Sequence, residues 1–114
     1  MKIFKSIADL NQLDPSYPAY TVIKKHLSRM ANLYPENGYL VLVDSLNDFD
    51  QGLKLPEVKR SWGDIIHLSE GCVKQDGYYK LFYATNNSFG ICLFIKNADW
   101  LDDSLRKAME EHLI

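Results

Sequence analysis

A chain of 114 residues, 46% hydrophobic and 25% charged, has enough apolar residues for one buried core and too many for a disordered segment. A formal net charge of −2 argues against a general phosphate-binding surface. No apolar run approaches the ~18 residues of a membrane-spanning helix, so residues 1–114 read as a single soluble domain.

In chain order, Met1 to Lys5 meets Ser6 and Asp9 before any long apolar run develops, which is unlike an export signal. A cytosolic location follows as the expectation, with Cys72 and Cys92 as free buried thiols. A meander would still bring the two cysteines near each other. Ser6 to Leu13 predicts a short helix with Ile7, Leu10 and Leu13 on one side, ended by Asp14-Pro15. Ser16 and Pro18 then open a stronger helix over 17–33. Its apolar stripe is Ala19, Val22, Ile23, His26, Leu27, Met30 and Leu33; Lys24, Lys25, Ser28, Arg29 and Asn32 take the other side.

Residues 39–44 predict a strand with apolar side chains on both faces, and 45–54 an acidic loop. Residues 55–74 are ambiguous. As a helix, Val58, Trp62, Ile65 and Ile66 would line one side, against which Gly63 counts by roughly 1 kcal/mol. The preferred reading is an irregular 55–63 followed by a strand over 64–74. Asp76-Gly77 marks a tight turn. The stretch 78–84, the turn formers 85–88 and the stretch 89–96 then form a hairpin. A last helix over 99–113, capped by Asn97 or Asp99, carries Leu101, Leu105, Ala108 and Met109 inward. Asp102 with Arg106 is among its favourable pairs. The expected fold is α+β: a mainly antiparallel four-stranded sheet (39–44, 64–74, 78–84, 89–96) with two main helices on it.

Chemical signatures are sparse. The acidic loop fails the EF-hand pattern at Gly52, Leu53 and Lys59. His26, His67 and His112 lack the spacing of a zinc site. Neither a metal nor a cofactor is therefore expected. His67, with Asp64 or Glu70 as orienting partner, is the one weak catalytic candidate. The apolar neighbours of Cys92 would raise its pKa and blunt its reactivity. Lys24, Lys25 and Arg29, with Lys54, Lys59 and Arg60, form a small basic stripe. Tyr78, Lys80 and Phe82 could imitate a base-stacking platform, but the glycine-aromatic pattern of an RNA-recognition motif is missing, so nucleic acid is not the expected partner. No phosphate-cradling glycine loop or nucleophile elbow occurs.

The two-sided apolar sheet carries the leading expectation. Two helices on one face would leave Tyr78, Phe82, Cys92 and Phe94, or their opposite numbers on the other face, in need of a partner, which suggests a non-enzymatic interaction protein acting as a homodimer. The alternative is a small-molecule binder or enzyme with an apolar pocket between sheet and helices. Trp62, Tyr79 and Tyr83 are its candidate lining residues, with His67 beside them.

Overall fold

The computed structural model describes residues 2–17, 19–33, 38–52, 61–84 and 90–114. Strand β1 (Lys2–Phe4) leads into a 3-10 segment (Ile7–Gln12), helix α1 (Tyr20–Leu33) and strand β2 (Gly38–Val43). Helices α2 (Leu46–Gly52) and α3 (Trp62–Leu68) follow, then strands β3 (Cys72–Gln75), β4 (Tyr78–Ala84) and β5 (Gly90–Lys96), and helix α4 (Asp103–Glu111). The strands form one five-stranded mixed sheet in the order β1-β2-β5-β4-β3. Strand β2 runs parallel to β5, and every other neighbouring pair is antiparallel. The α+β class stands; the four-stranded, mainly antiparallel sheet does not.

Three local corrections account for the difference. Residues 2–4, expected to be no element, pair Lys2 with Leu42 and Phe4 with Leu40. Such a strand is too short to show alternation, and only its pairing with β2 makes it one. The expected loop 45–54 holds a helix, because the Ser45 Oγ accepts from the Asp48 N–H at 3.2 Å and Phe49 turns into the core. The expected strand 64–74 divides into α3 and β3. Ser61 caps α3 by accepting from the Asp64 N–H at 3.1 Å, and Ile65 and Ile66 are buried. Gly63 lies exposed in the first turn, so its propensity cost is outweighed by the cap and by two buried isoleucines. Residues 53–60 and 85–89, with the readings made for them, lie outside the described residues.

Other expectations hold with shifted bounds. The short N-terminal helix is a single 3-10 stretch, its entry fixed by the Asp9 carboxylate accepting from the Lys5 and Ser6 N–H groups. Helix α4 is capped by Asp102, not Asn97 or Asp99: its carboxylate accepts from the Ser104 and Leu105 N–H groups. Arg106 accordingly pairs with Asp103 and reaches Asn97 Oδ1 and the Ala98 carbonyl. Asp76 and Gly77 have φ of 52° and 79°, the two left-handed residues of a hairpin turn that follows the sheet's twist. Beyond α4 the chain adds to the β3 edge: the Cys72 N–H donates to the His112 carbonyl and the Ile114 N–H to the Cys72 carbonyl, each at 3.0 Å.

The layers contradict the expectation that both main helices share a face. On one side, α2, α3 and α4 bury Val41, Val43, Tyr79, Leu81, Leu93 and Ile95 under Phe49, Ile65, Ile66 and Met109. On the other, α1 and the 3-10 segment bury Phe4, Leu40, Leu42, Tyr78, Cys92 and Phe94 under Leu10, Ile23, Leu27 and Met30. The face expected to need a second subunit is thus covered by the chain's own helix. Phe94 is 1% exposed.

A charge at that position has no route to water. Phe94→Glu should lower unfolding free energy by about 3 kcal/mol or more, read as a fall in the urea midpoint. A stably folded Phe94→Glu protein would show that α1 does not seal this face.

Candidate functional site

Coverage of the α1 side ends before the sheet does. Beyond α1, the described side chains on this face of β4 and β3 are Lys80, Phe82, Val73 and Gln75; Lys80 and Phe82 are half-buried and Val73 is 39% exposed. At this margin a cleft of about 70 Å³ opens between α1 and β4. His26, Arg29 and Met30 line it from α1, Phe82 from β4, and Glu70 from the loop before β3. Helical spacing sets the three α1 residues in one patch, since 26, 29 and 30 are three and four apart. Glu70 is held there by its N–H, which donates to the Phe82 carbonyl at 3.0 Å.

The cleft has an apolar floor, and its rim carries Arg29, His26 and Glu70, with Lys80 and Lys25 acting on His26 from outside it. Met30 is buried, and the His26 ring stands edge-on to Phe94, 5.6 Å between centroids. Burial holds the His26 pKa below its ordinary value, and the charges of Lys80, Arg29 and Lys25 press it the same way. Lys80 is steadied by the Gln75 side chain, to which its ammonium donates at 2.7 Å. None of the ion pairs among the described residues engages Arg29.

A second polar cluster sits where β2 ends. The Tyr17 and Tyr78 hydroxyls both donate to Asp44 Oδ1, at 3.0 and 2.6 Å, and also touch each other. Tyr17 comes from the turn before α1, Tyr78 from the start of β4, and Asp44 follows β2, so the cluster ties α1's layer to the sheet. Burial pushes the Tyr17 phenol up to about 12, with the Asp44 charge adding to it. Burial and the bond to Asp44 drive Tyr78 upward as well. Both phenols stay protonated at neutral pH, as donors and not as bases.

The residues singled out in the sequence scatter. Tyr78 and Phe94, expected at an interface, are core residues under α1, while Phe82 is at the cleft. Tyr79 and Tyr83, expected along a pocket, are packed on the opposite face among α3 and α4 side chains. The Tyr79 hydroxyl donates to Glu110, which Lys74 also holds at 3.0 Å. The Trp62 side chain lies outside the described residues. His67 is on α3 and exposed, its ring 6.2 Å from that of His112; among the described residues no hydrogen bond joins it to Asp64 or Glu70. Cys72 and Cys92 lie on opposite faces of the sheet and are free. Among the described residues, no group of three or more His, Cys, Asp or Glu side chains could hold a metal ion, and no helix is long and apolar enough to cross a membrane. Sequence reading placed His26, Arg29 and Met30 on α1 but missed Glu70 as their neighbour. Only the α3–β3 turn brings it across.

The phenols and thiols set two measurable consequences. Tyr17 and Tyr79 keep their protons to about 12, whereas an unfolded phenol releases its own near 10. The native state therefore binds these protons more tightly, and the stability they contribute is complete below pH 10 and lost as pH rises toward 12. Tyr78→Phe should cost about 1–2 kcal/mol near neutrality and flatten part of the alkaline loss in denaturant melts taken across that range. An unchanged alkaline profile would remove the cluster from the ledger.

Burial pushes the Cys72 thiol up to about 11 and Cys92 to about 12. Neither should react with a thiol-specific disulfide reagent in the native protein at pH 7.5, whereas both should in denaturant. Rapid native labelling of either would contradict its burial.

Comparison with family models, with curated proteins and with solved structures finds no match to this chain.

Proposed function

We propose that this chain is a non-enzymatic binding protein that takes a small ligand in the α1–β4 cleft. The supporting observation is the combination found there: an Arg29 guanidinium outside the ion pairs of the described residues, beside a half-buried His26 and above the apolar Met30 and Phe82. Concave sites with an apolar floor and a few converging polar groups are where small ligands bind. The polar groups elsewhere are arranged differently. The tyrosine hydroxyls and the Asp44 carboxylate satisfy one another, the thiols are buried, and His67 lacks an orienting partner among the described residues. A binding role therefore fits the side chains better than acid–base or nucleophilic catalysis.

Self-association is the second reading, moved from the sealed face to the open strip. Phe82 and Val73 are diagonal neighbours there, and both keep apolar surface in water. Light scattering over a dilution series, combined with an NMR fragment screen, separates the two. The cleft reading expects a monomer in which fragments move the Met30 methyl and His26 ring signals saturably. A dimer dissociated by Phe82→Glu, with no fragment response at Met30, would favour self-association instead.

A further inference from the structure

We infer that the α1–β4 cleft is a site for small monocarboxylate anions, with the carboxylate on Arg29 beside His26 and a short apolar body on Met30 and Phe82. The inference rests on the cleft being the binding site and adds the chemistry of its occupant.

Charge comes first. The groups acting on His26 are Lys80 from β4 and Arg29 and Lys25 from α1, all cationic; Glu70 is the one acid among the cleft's lining residues. Within the lining Arg29 and Glu70 balance; Lys80 and Lys25, which act on His26 from outside it, tip the surroundings of the ring positive and favour an anion there. Arginine narrows the class further. Its planar fork presents parallel N–H groups that match a carboxylate's two oxygens, a geometry a lysine rim would lack. Next to it, Met30 and Phe82 offer apolar surface that hydrated inorganic anions would gain nothing by covering.

Size limits the body. A volume of about 70 Å³ is about half that of a cavity that encloses benzene, ~150 Å³. It holds a tail of a few carbons and is too small to enclose an aromatic ring or a sugar. Glu70 brings the opposite charge and invites a zwitterion, whose ammonium it would accept. Among the lining residues Glu70 faces Arg29 alone, and with Lys80 and Lys25 adding to Arg29 around His26 it acts as a penalty for an anion seated there, not as an anchor. Burial first and the neighbouring cations second keep the His26 ring neutral; an anion seated beside it opposes both, so binding should draw a proton onto it.

The test uses the 114-residue chain at fixed ionic strength, with propionate, 1-propanol, propylammonium and inorganic phosphate as probes. Propionate should shift the Met30 methyl and His26 ring signals saturably, raise the His26 titration midpoint, and bind several-fold more tightly at pH 6 than at pH 8. Arg29→Gln, on the exposed side of α1, should weaken it at least about tenfold. Glu70→Gln should tighten it. Equal binding of propanol or propylammonium, propionate binding unchanged by Arg29→Gln, or propionate binding lost in Glu70→Gln would overturn the monocarboxylate assignment and leave the cleft as the site. Phosphate matching propionate without moving Met30 would also overturn it. If none of the four probes moves Met30 or His26, the cleft reading falls together with the ligand class.

Discussion

The constraint on which the structure depends is that its central strands are apolar on both faces. Gly90–Lys96 carries Ile91, Leu93 and Ile95 toward one layer and Cys92 and Phe94 toward the other, and all five are buried. A strand of this kind cannot sit with one side in water. The chain therefore places helices on both sides, and three layers follow from one strand's composition. The parallel pairing of β2 and β5 belongs to the same logic. Leu40 opposes Cys92 and Leu42 opposes Phe94, so the two most apolar strands lie side by side at the sheet's centre.

Polar groups hold the layers in register where burial alone would not. Apolar contact is non-directional, whereas Asp44 accepts from Tyr17 on the α1 side and from Tyr78 in the sheet. On the opposite side, Glu110 of α4 accepts from Tyr79 of β4 and pairs with Lys74 of β3. Neighbouring tyrosines of one strand thus point to opposite faces, and each ends on a carboxylate from another part of the chain. The period of two in β4 becomes a pair of fasteners, one to each layer. Both phenols are buried as rings and satisfied at their tips, the arrangement that makes tyrosine tolerable in a core.

Which parts of this were legible follows from the range of the interactions responsible. Helix α1, strands β2, β4 and β5 and the Asp76-Gly77 turn are written locally, as periodicity or as turn chemistry. The errors fall where a distant contact decides or where a local serine cap, Ser45 or Ser61, competes with a louder pattern beside it. Ile65, Ile66 and Leu68 suit a strand as well as a helix, and only the Ser61 cap with α4 packing beside α3 resolves them. Lys2–Phe4 is a strand because β2 offers it an edge. In the acidic stretch after β2, Asp48 and Asp50 distracted from Ser45 and Phe49, the cap and the anchor of a helix. The candidate site suffered most. His26, Arg29 and Met30 could be grouped from spacing, but Phe82 and Glu70 join them through strand order and a turn, and neither is visible in one dimension.

The position of the cleft follows from the widths of the layers. Five strands at about 4.8 Å spacing span roughly 19 Å, whereas one helix with its side chains is about 10 Å across. Three helices cover the sheet on one side. On the other there is α1, assisted by a 3-10 segment that packs toward β1. Cover of that width reaches the buried side chains of β1, β2 and β5 and the Tyr78 end of β4, and then runs out. The uncovered strip cannot remain wholly apolar, and its residues change character accordingly: Tyr78 gives way to Lys80 along β4, and β3 offers Val73 and Gln75. Phe82 is the exception. It keeps an aromatic ring at the margin, where α1's exposed side supplies Arg29 and its buried side supplies Met30. A cation next to an apolar floor is therefore what this boundary between covered and open sheet produces, and that pairing is what the proposed ligand site is built on.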